Sequence, residues 1–440
     1  MIYINILFAC KGNLEDTGSL EKEPSSETSS EPSAEVTVDI EEVNGCYGTD
    51  FEGHLLCDSW MYNLSNAKSA VLTENENSIR LDIEKTELET DATGSYIIVY
   101  TSGVPSYTVI FDQEEIDALN NRPNAATDFQ SGTTTAVAGQ TYDFGTDIGY
   151  KSNNDCESGG FGWWPPGPVC PTDQQKIVLF PFEPEPAVTG EECETGLGSL
   201  GLFVNGVSVY NWSDGASYNN SGIWMNVAAQ YEAYDLGPCK GHAANGDYHH
   251  HDLSTCLQDQ LNDEGSEHSP IYGFAADGYP IYGPYTDANT LAQSCWVTRD
   301  YTDSNDIYGC DGDGKRTCIM VDPFDPSLGT ISADSNGPST TEYVTSMSGN
   351  RFVATSGFYI QDYYYDSNCT DMGGLDAFNG HDHDNLGYHY HITLEFPYFT
   401  GPKLRGKVPN NSQTMCDGVS GIPGGGGPGG GPGGGPPPSR

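Results

Sequence analysis

Eight of the ten histidines in this chain lie in two short windows, GHAANGDYHHH at residues 241–251 and GHDHDNLGYHYH at residues 380–391. Each window reads Gly-His, then a turn containing Gly or Asn, then Tyr-His-x-His. In an extended strand residues i and i+2 face the same way, so His249 projects with His251, and His389 with His391. Two imidazoles rooted about 7 Å apart can converge on one metal ion. His242 and His381 stand upstream, across a turn able to bring them back beside their His-x-His pair. Pairing the two strands would put His249, His251, His389 and His391 into one four-nitrogen site, with His242 and His381 the next ligands. Two separate three-histidine sites are the alternative. With cysteines committed to disulfides, imidazole and carboxylate remain as donors, and these suit Cu(II) or Zn(II). Imidazole must be neutral to ligate, so affinity is expected to fall below about pH 6.

Other residues bear on the same chemistry. Asp247, Asp252, Asp376, Asp382 and Asp384 are close enough in sequence to be ligands or carboxylates that orient the imidazoles. Tyr248 and His250, like Tyr388 and Tyr390, would face the opposite side of their strands. A tyrosine–histidine hydrogen-bond network is therefore the competing structural reading. A histidine acting as general base beside an aspartate is a third, and no Gly-x-Ser-x-Gly elbow supports it. His268, just before a tight turn, reads as a capping or surface residue and only secondarily as an extra ligand. His54 reads as structural. The stretch CDGDGKRTC (310–318) has calcium-like Asp spacing without the terminal bidentate Glu, so a disulfide-closed turn is expected in preference to a Ca site.

The chain has 440 residues and a formal charge of −46, from 17 basic and 63 acidic residues. Phosphate binding needs basic patches, which argues against nucleic acid and anionic membrane surfaces as partners. The opening MIYINILFAC resembles a lipoprotein signal ending at Cys10, so a membrane would be met only through an N-terminal lipid anchor. Setting Cys10 aside leaves twelve of thirteen cysteines, enough for six disulfides in an oxidising, extracytoplasmic compartment. Short separations suggest Cys46–Cys57, Cys156–Cys170, Cys239–Cys256 and Cys310–Cys318.

The elements that must position these residues are mostly strands. Residues 1–10 read as the signal, 11–45 as a disordered acidic Ser/Glu/Pro linker, 46–403 as one large disulfide-containing, mainly β domain, and 404–440 as a disordered Gly/Pro-rich tail. SYIIVYTSGVPSYTVIF (95–111) gives two strand-forming runs. Asn205-Gly206 and Asp277-Gly278 sit between apolar runs and predict hairpins. Pro280 predicts that the second arm of the latter is an edge or irregular strand. Helices are expected to be few and short, with DQEEIDALNN (112–121) the best candidate. The paired histidine windows are the one internal repeat, pointing to a duplicated half-domain or to convergence on one site.

At Tyr388-His389-Tyr390-His391 the chain resembles the YHYH-domain family. GGLDAFNGH, CKGHAANGDYHHH (with His250 in place of the second Tyr), HSPIYGFAADGYPIYGPY, GLFVNGVSVYNW and FGWWPPGPVCP add to the resemblance, which spans roughly residues 55–403. It implies a secreted or cell-surface bacterial protein and assigns no activity. Three function classes follow: an extracytoplasmic metal-binding protein, a metal-dependent hydrolase or oxidoreductase with an open coordination position, and a structural or adhesive surface protein without metal.

Overall fold

The computed structural model describes residues 92–122, 124–150, 171–346, 349–383, 386–410 and 412–419, and the strand backbones of 46–49, 55–57 and 83–90. Cys10, the 11–45 linker, His54, the Cys156–Cys170 pair, Asp384 and residues 420–440 lie outside the described residues, as do the side chains of Cys46 and Cys57. The described body is mainly β, with short helices. Helix α1 (Gln113–Asn121) starts where its sequence asks. Glu115 N donates to Asp112 Oδ1 and Asp112 N to Glu115 Oε2, both at 2.8 Å, and this reciprocal capping satisfies two otherwise orphaned donors.

Eight strands form the central sheet: β1 (Ser199–Phe203), β2 (Ser208–Tyr210), β3 (Gly241–Ala244), β4 (Asp247–His250), β5 (Ile271–Ala275), β6 (Pro280–Tyr282), β7 (Gly380–Asp382) and β8 (Tyr388–His391). Their order is β3-β4-β2-β1-β5-β6-β8-β7. Each half repeats one plan. A tight hairpin (β1–β2 or β5–β6) pairs its second arm in parallel with the Tyr-His-x-His strand (β4 or β8), which pairs antiparallel with the Gly-His strand (β3 or β7). The histidine repeat is thus part of a repeated four-strand unit.

The hairpin turns place Gly206 at φ 78° and Gly278 at φ 87°, where a Cβ would be strained. The halves meet at the antiparallel β1–β5 pair. A Cβ on Gly201 would lie 2.0 Å from Phe274 O, and one on Gly273 2.5 Å from Leu202 O. Only glycine permits that approach, on both sides of the seam. Val209 and Ile281, at matching positions of β2 and β6, are fully buried, and each burial contributes about 2 kcal/mol.

Two expectations change. Pro280 does not mark an edge, because β6 lies between β5 and β8 in the interior of the sheet. Proline is tolerated there as the first residue of the strand. The folded body also runs past residue 403. Leu404 is fully buried, Gly406 N donates to Asp277 Oδ2 at 2.8 Å, and Cys416 is bonded to Cys193. Cys239–Cys256 and Cys310–Cys318 form as their separations suggest, the latter closing the Asp-rich turn, and Cys295–Cys369 is a further bridge.

Candidate metal centres

The strand registers put both histidine sets on one face. His242 pairs with His249, His249 with Ser208, Ser208 with Leu202, Leu202 with Phe274 and Phe274 with Pro280. Two residues beyond Pro280, Tyr282 pairs with His391. Five interstrand steps separate β4 from β8, about 24 Å along the sheet. The single site built from His249, His251, His389 and His391 therefore does not form. Two clusters form in its place.

In the first, one ligand-type nitrogen from each of His242, His249 and His251 lies within 4.8 Å of the others. His249 Nδ1 donates to Asp247 O at 2.9 Å and His251 Nδ1 to Asn211 O at 2.7 Å. Those bonds fix the tautomers and turn both Nε2 lone pairs inward, 3.1 Å apart. Glu232 completes the group. It caps helix α2 (Ala228–Tyr231), with its own N–H donating to Ala228 O at 2.8 Å, and that helix is tied to the segment just after β2 by Ala228 N donating to Trp212 O at 2.8 Å. Its Oε2 stands 3.2 Å from His242 Nε2 and 3.2 Å from His251 Nε2. For an ion with donors at about 2.0–2.1 Å, the edges of a coordination tetrahedron are about 3.3 Å, so these spacings fit a first-row ion.

The electrostatics agree with that geometry. Burial, then the neighbouring imidazoles of His242 and His251, hold His249 well below the ordinary histidine value. Burial would raise Glu232, but contact with His242 and His251 outweighs it and holds the carboxyl well below its usual range. Burial also works against protonating His251, and there Glu232 wins and raises it. The anion in this pocket thus favours a cation beside it.

In the second cluster, nitrogens of His268, His389 and His391 lie within 4.8 Å of one another. Main-chain carbonyls again hold the rings: His389 Nδ1 donates to Gly387 O at 2.7 Å, His391 Nδ1 to Gly283 O at 2.6 Å, and His268 Nδ1 to Ser269 O at 2.8 Å. The Nε2 atoms of His389 and His391 are buried without a hydrogen-bond partner, as is His381 Nε2. The His381 ring lies 4.8 Å from His389 and 5.0 Å from His391, and stacks on His383 at 5.0 Å and 14°. Burial, then neighbouring imidazoles, lowers His381 to about 3. Burial also lowers His389, to about 4, and holds His391 well below its ordinary value.

The opposite face has its own hydrogen bonds. Tyr390 donates to Asp277 Oδ2 at 2.6 Å and Tyr388 to Asp376 Oδ2 at 3.0 Å. His250 meets Tyr107 Oη at 2.9 Å, and Asn205 Nδ2 donates to the same hydroxyl at 3.0 Å. A tyrosine–histidine bond therefore exists at His250, away from both clusters. The Asp247 carboxylate is engaged by Lys176, by Tyr210 Oη at 3.2 Å and by Ser208 Oγ at 3.3 Å, so backbone carbonyls orient the imidazoles instead. Glu232 and His383 were not among the residues singled out by sequence. His268 is half-buried and belongs to a cluster. Its place beside the repeated hairpin was the available signal, and Glu232 had none.

A family model described as YHYH protein matches residues 178–406, just over half of the chain. No curated protein and no solved structure matches.

Proposed function

This chain belongs to the YHYH protein family, and from that premise we propose that it is an extracytoplasmic protein binding two divalent transition-metal ions, Cu(II) or Zn(II), one in each histidine cluster. One observation carries the reading. His249 Nε2 and His251 Nε2 face each other at 3.1 Å while both Nδ1–H groups are spent on carbonyls. Two lone pairs at that distance need a cation between them, a proton or a metal ion, and Glu232 adds a negative charge beside them. In the second cluster each buried, unpartnered Nε2 costs about 1–3 kcal/mol, which ligation offsets. Four disulfides among the described residues support the extracytoplasmic placement.

A metal-dependent enzyme is the second reading: His268, His389 and His391 alone form a three-imidazole set, and with His381 and His383 turned aside an ion there would keep a coordination position for water. Elemental analysis of protein purified without an affinity tag tests the metal itself. The expected result is two ions per chain at neutral pH. A chain that binds none leaves a structural role as the better account.

A further inference from the structure

We propose that the two clusters hold their ions on different time scales: the first retains its ion, and the second exchanges it with chelating ligands in the surroundings by way of His381 and His383. This rests on the metal-binding reading above and adds what each site does with the ion.

The first cluster is closed. His242, His249 and His251 are 4 %, 1 % and 3 % exposed. Glu232, whose side chain is 23 % exposed, stands beside them with an oxygen 3.2 Å from two of the three ligand-type nitrogens. A carboxylate donor also cancels part of the ion's charge, which neutral imidazole cannot do. An incoming chelator must displace a charged ligand that already holds two of the three imidazoles.

The second cluster differs in each respect. Its donors are all imidazoles, and there are five rings where a tetrahedral ion takes four. His389 and His391 sit at the bottom, fully buried, whereas His268, His381 and His383 are half-buried. The stacked His381 and His383 rings continue from the buried pair towards the exposed end of β7, where Asp382 is exposed. Ligand replacement is easier when a new donor is in place before the old one leaves, and a surplus imidazole beside the ion supplies that donor. An ion can therefore pass from His389 and His391 to His381 and then to His383 without becoming bare. The chain's net charge of −46 raises the local cation concentration at such a mouth.

The test uses the full chain, stripped of metal, loaded with two equivalents of Zn(II) and challenged with excess 4-(2-pyridylazo)resorcinol, with released zinc read by absorbance. Two phases of one ion each are expected, with rates about tenfold or more apart. His389→Ala with His391→Ala should remove the fast phase, and His249→Ala with His251→Ala the slow one. Two milder variants guard against misfolding. Glu232→Gln should speed the slow phase, and His381→Ala with His383→Ala should slow the fast phase, its amplitude scaled to the zinc the loaded chain holds. Release of both ions in one phase, or a fast phase that survives loss of His389 and His391, overturns the proposal while leaving metal binding intact. A chain that retains no zinc fails at the loading step and overturns both.

Discussion

The two halves of the sheet share a scaffold and differ in what has been added to it. Tyr210 stacks on His249 at 3.7 Å, and Tyr282, its counterpart on β6, lies 4.7 Å from His389. Asn211 O and Gly283 O hold the second histidine of each pair, and Asp247 O and Gly387 O the first. The donors outside the strands are unrelated. Helix α2 brings Glu232 to one cluster, and the segment before β5 brings His268 to the other. The repeated sheet sets ring orientation, and the segments outside it decide the charge and number of donors.

The broadest way to break this comparison is to remove one half's histidines. His249→Ala with His251→Ala should cut bound metal from two ions to one, His389→Ala with His391→Ala should do the same, and all four together should leave none, measured by elemental analysis. An equal loss from either pair alone to zero would mean that the clusters are not independent. The shared scaffold is tested at two glycines. A Cβ on Gly241 would lie 2.6 Å from Tyr248 Oη and 2.8 Å from His249 O, and one on Gly380 would lie 2.5 Å from both Tyr388 Oη and His389 O. Gly241→Ala and Gly380→Ala should each destabilise the fold by about 2–3 kcal/mol in urea unfolding, and a neutral result at either would undo the equivalence.

A pH experiment sharpens the contrast beneath the hairpins, where Asn205 in one half stands opposite Asp277 in the other. Burial raises the Asp277 carboxyl to about 6 from 3.8. Between those values the folded chain keeps a proton the unfolded chain has lost, so this group's contribution falls as pH rises through the window and is level above it. Asp277→Asn should remove a slope worth up to about 3 kcal/mol, and Asn205→Asp should introduce one, both read from urea midpoints at pH 4 and pH 6.5. The smallest effect is in protons. Glu232 raises His251, whereas burial leaves His389 and His381 neutral down to about 4 and 3. Metal binding near pH 6.5 should then release more protons at the first cluster than at the second, by calorimetry in buffers of different ionisation enthalpy. Proton competition at the second should begin well below the pH 6 expected of free imidazole.

What could be read from sequence was local. Asn205-Gly206, Asp277-Gly278, the helix within 112–121 and the Cys239–Cys256 and Cys310–Cys318 bridges are settled within 17 residues or fewer. The alternation within each His-x-His correctly put its rings together. Strand order was not legible, because nothing in a strand's own pattern names its neighbour, so β4 and β8 were paired across what proved to be four intervening strands. His268 meets residues more than a hundred positions away, and Glu232 is placed by a short helix whose sequence has no ligand-like spacing. Cys193–Cys416, with a separation of 223, was invisible for the same reason.

That last bridge has a consequence for how the molecule meets proteolysis. It ties the chain just before β1 to the chain just after the buried Leu404, enclosing the whole eight-stranded sheet in one covalent ring. A protease that cuts any single exposed loop between those cysteines opens the ring without releasing a fragment. The nicked protein keeps its mass until a reductant is added, and both halves of the sheet stay attached while their packing holds them together.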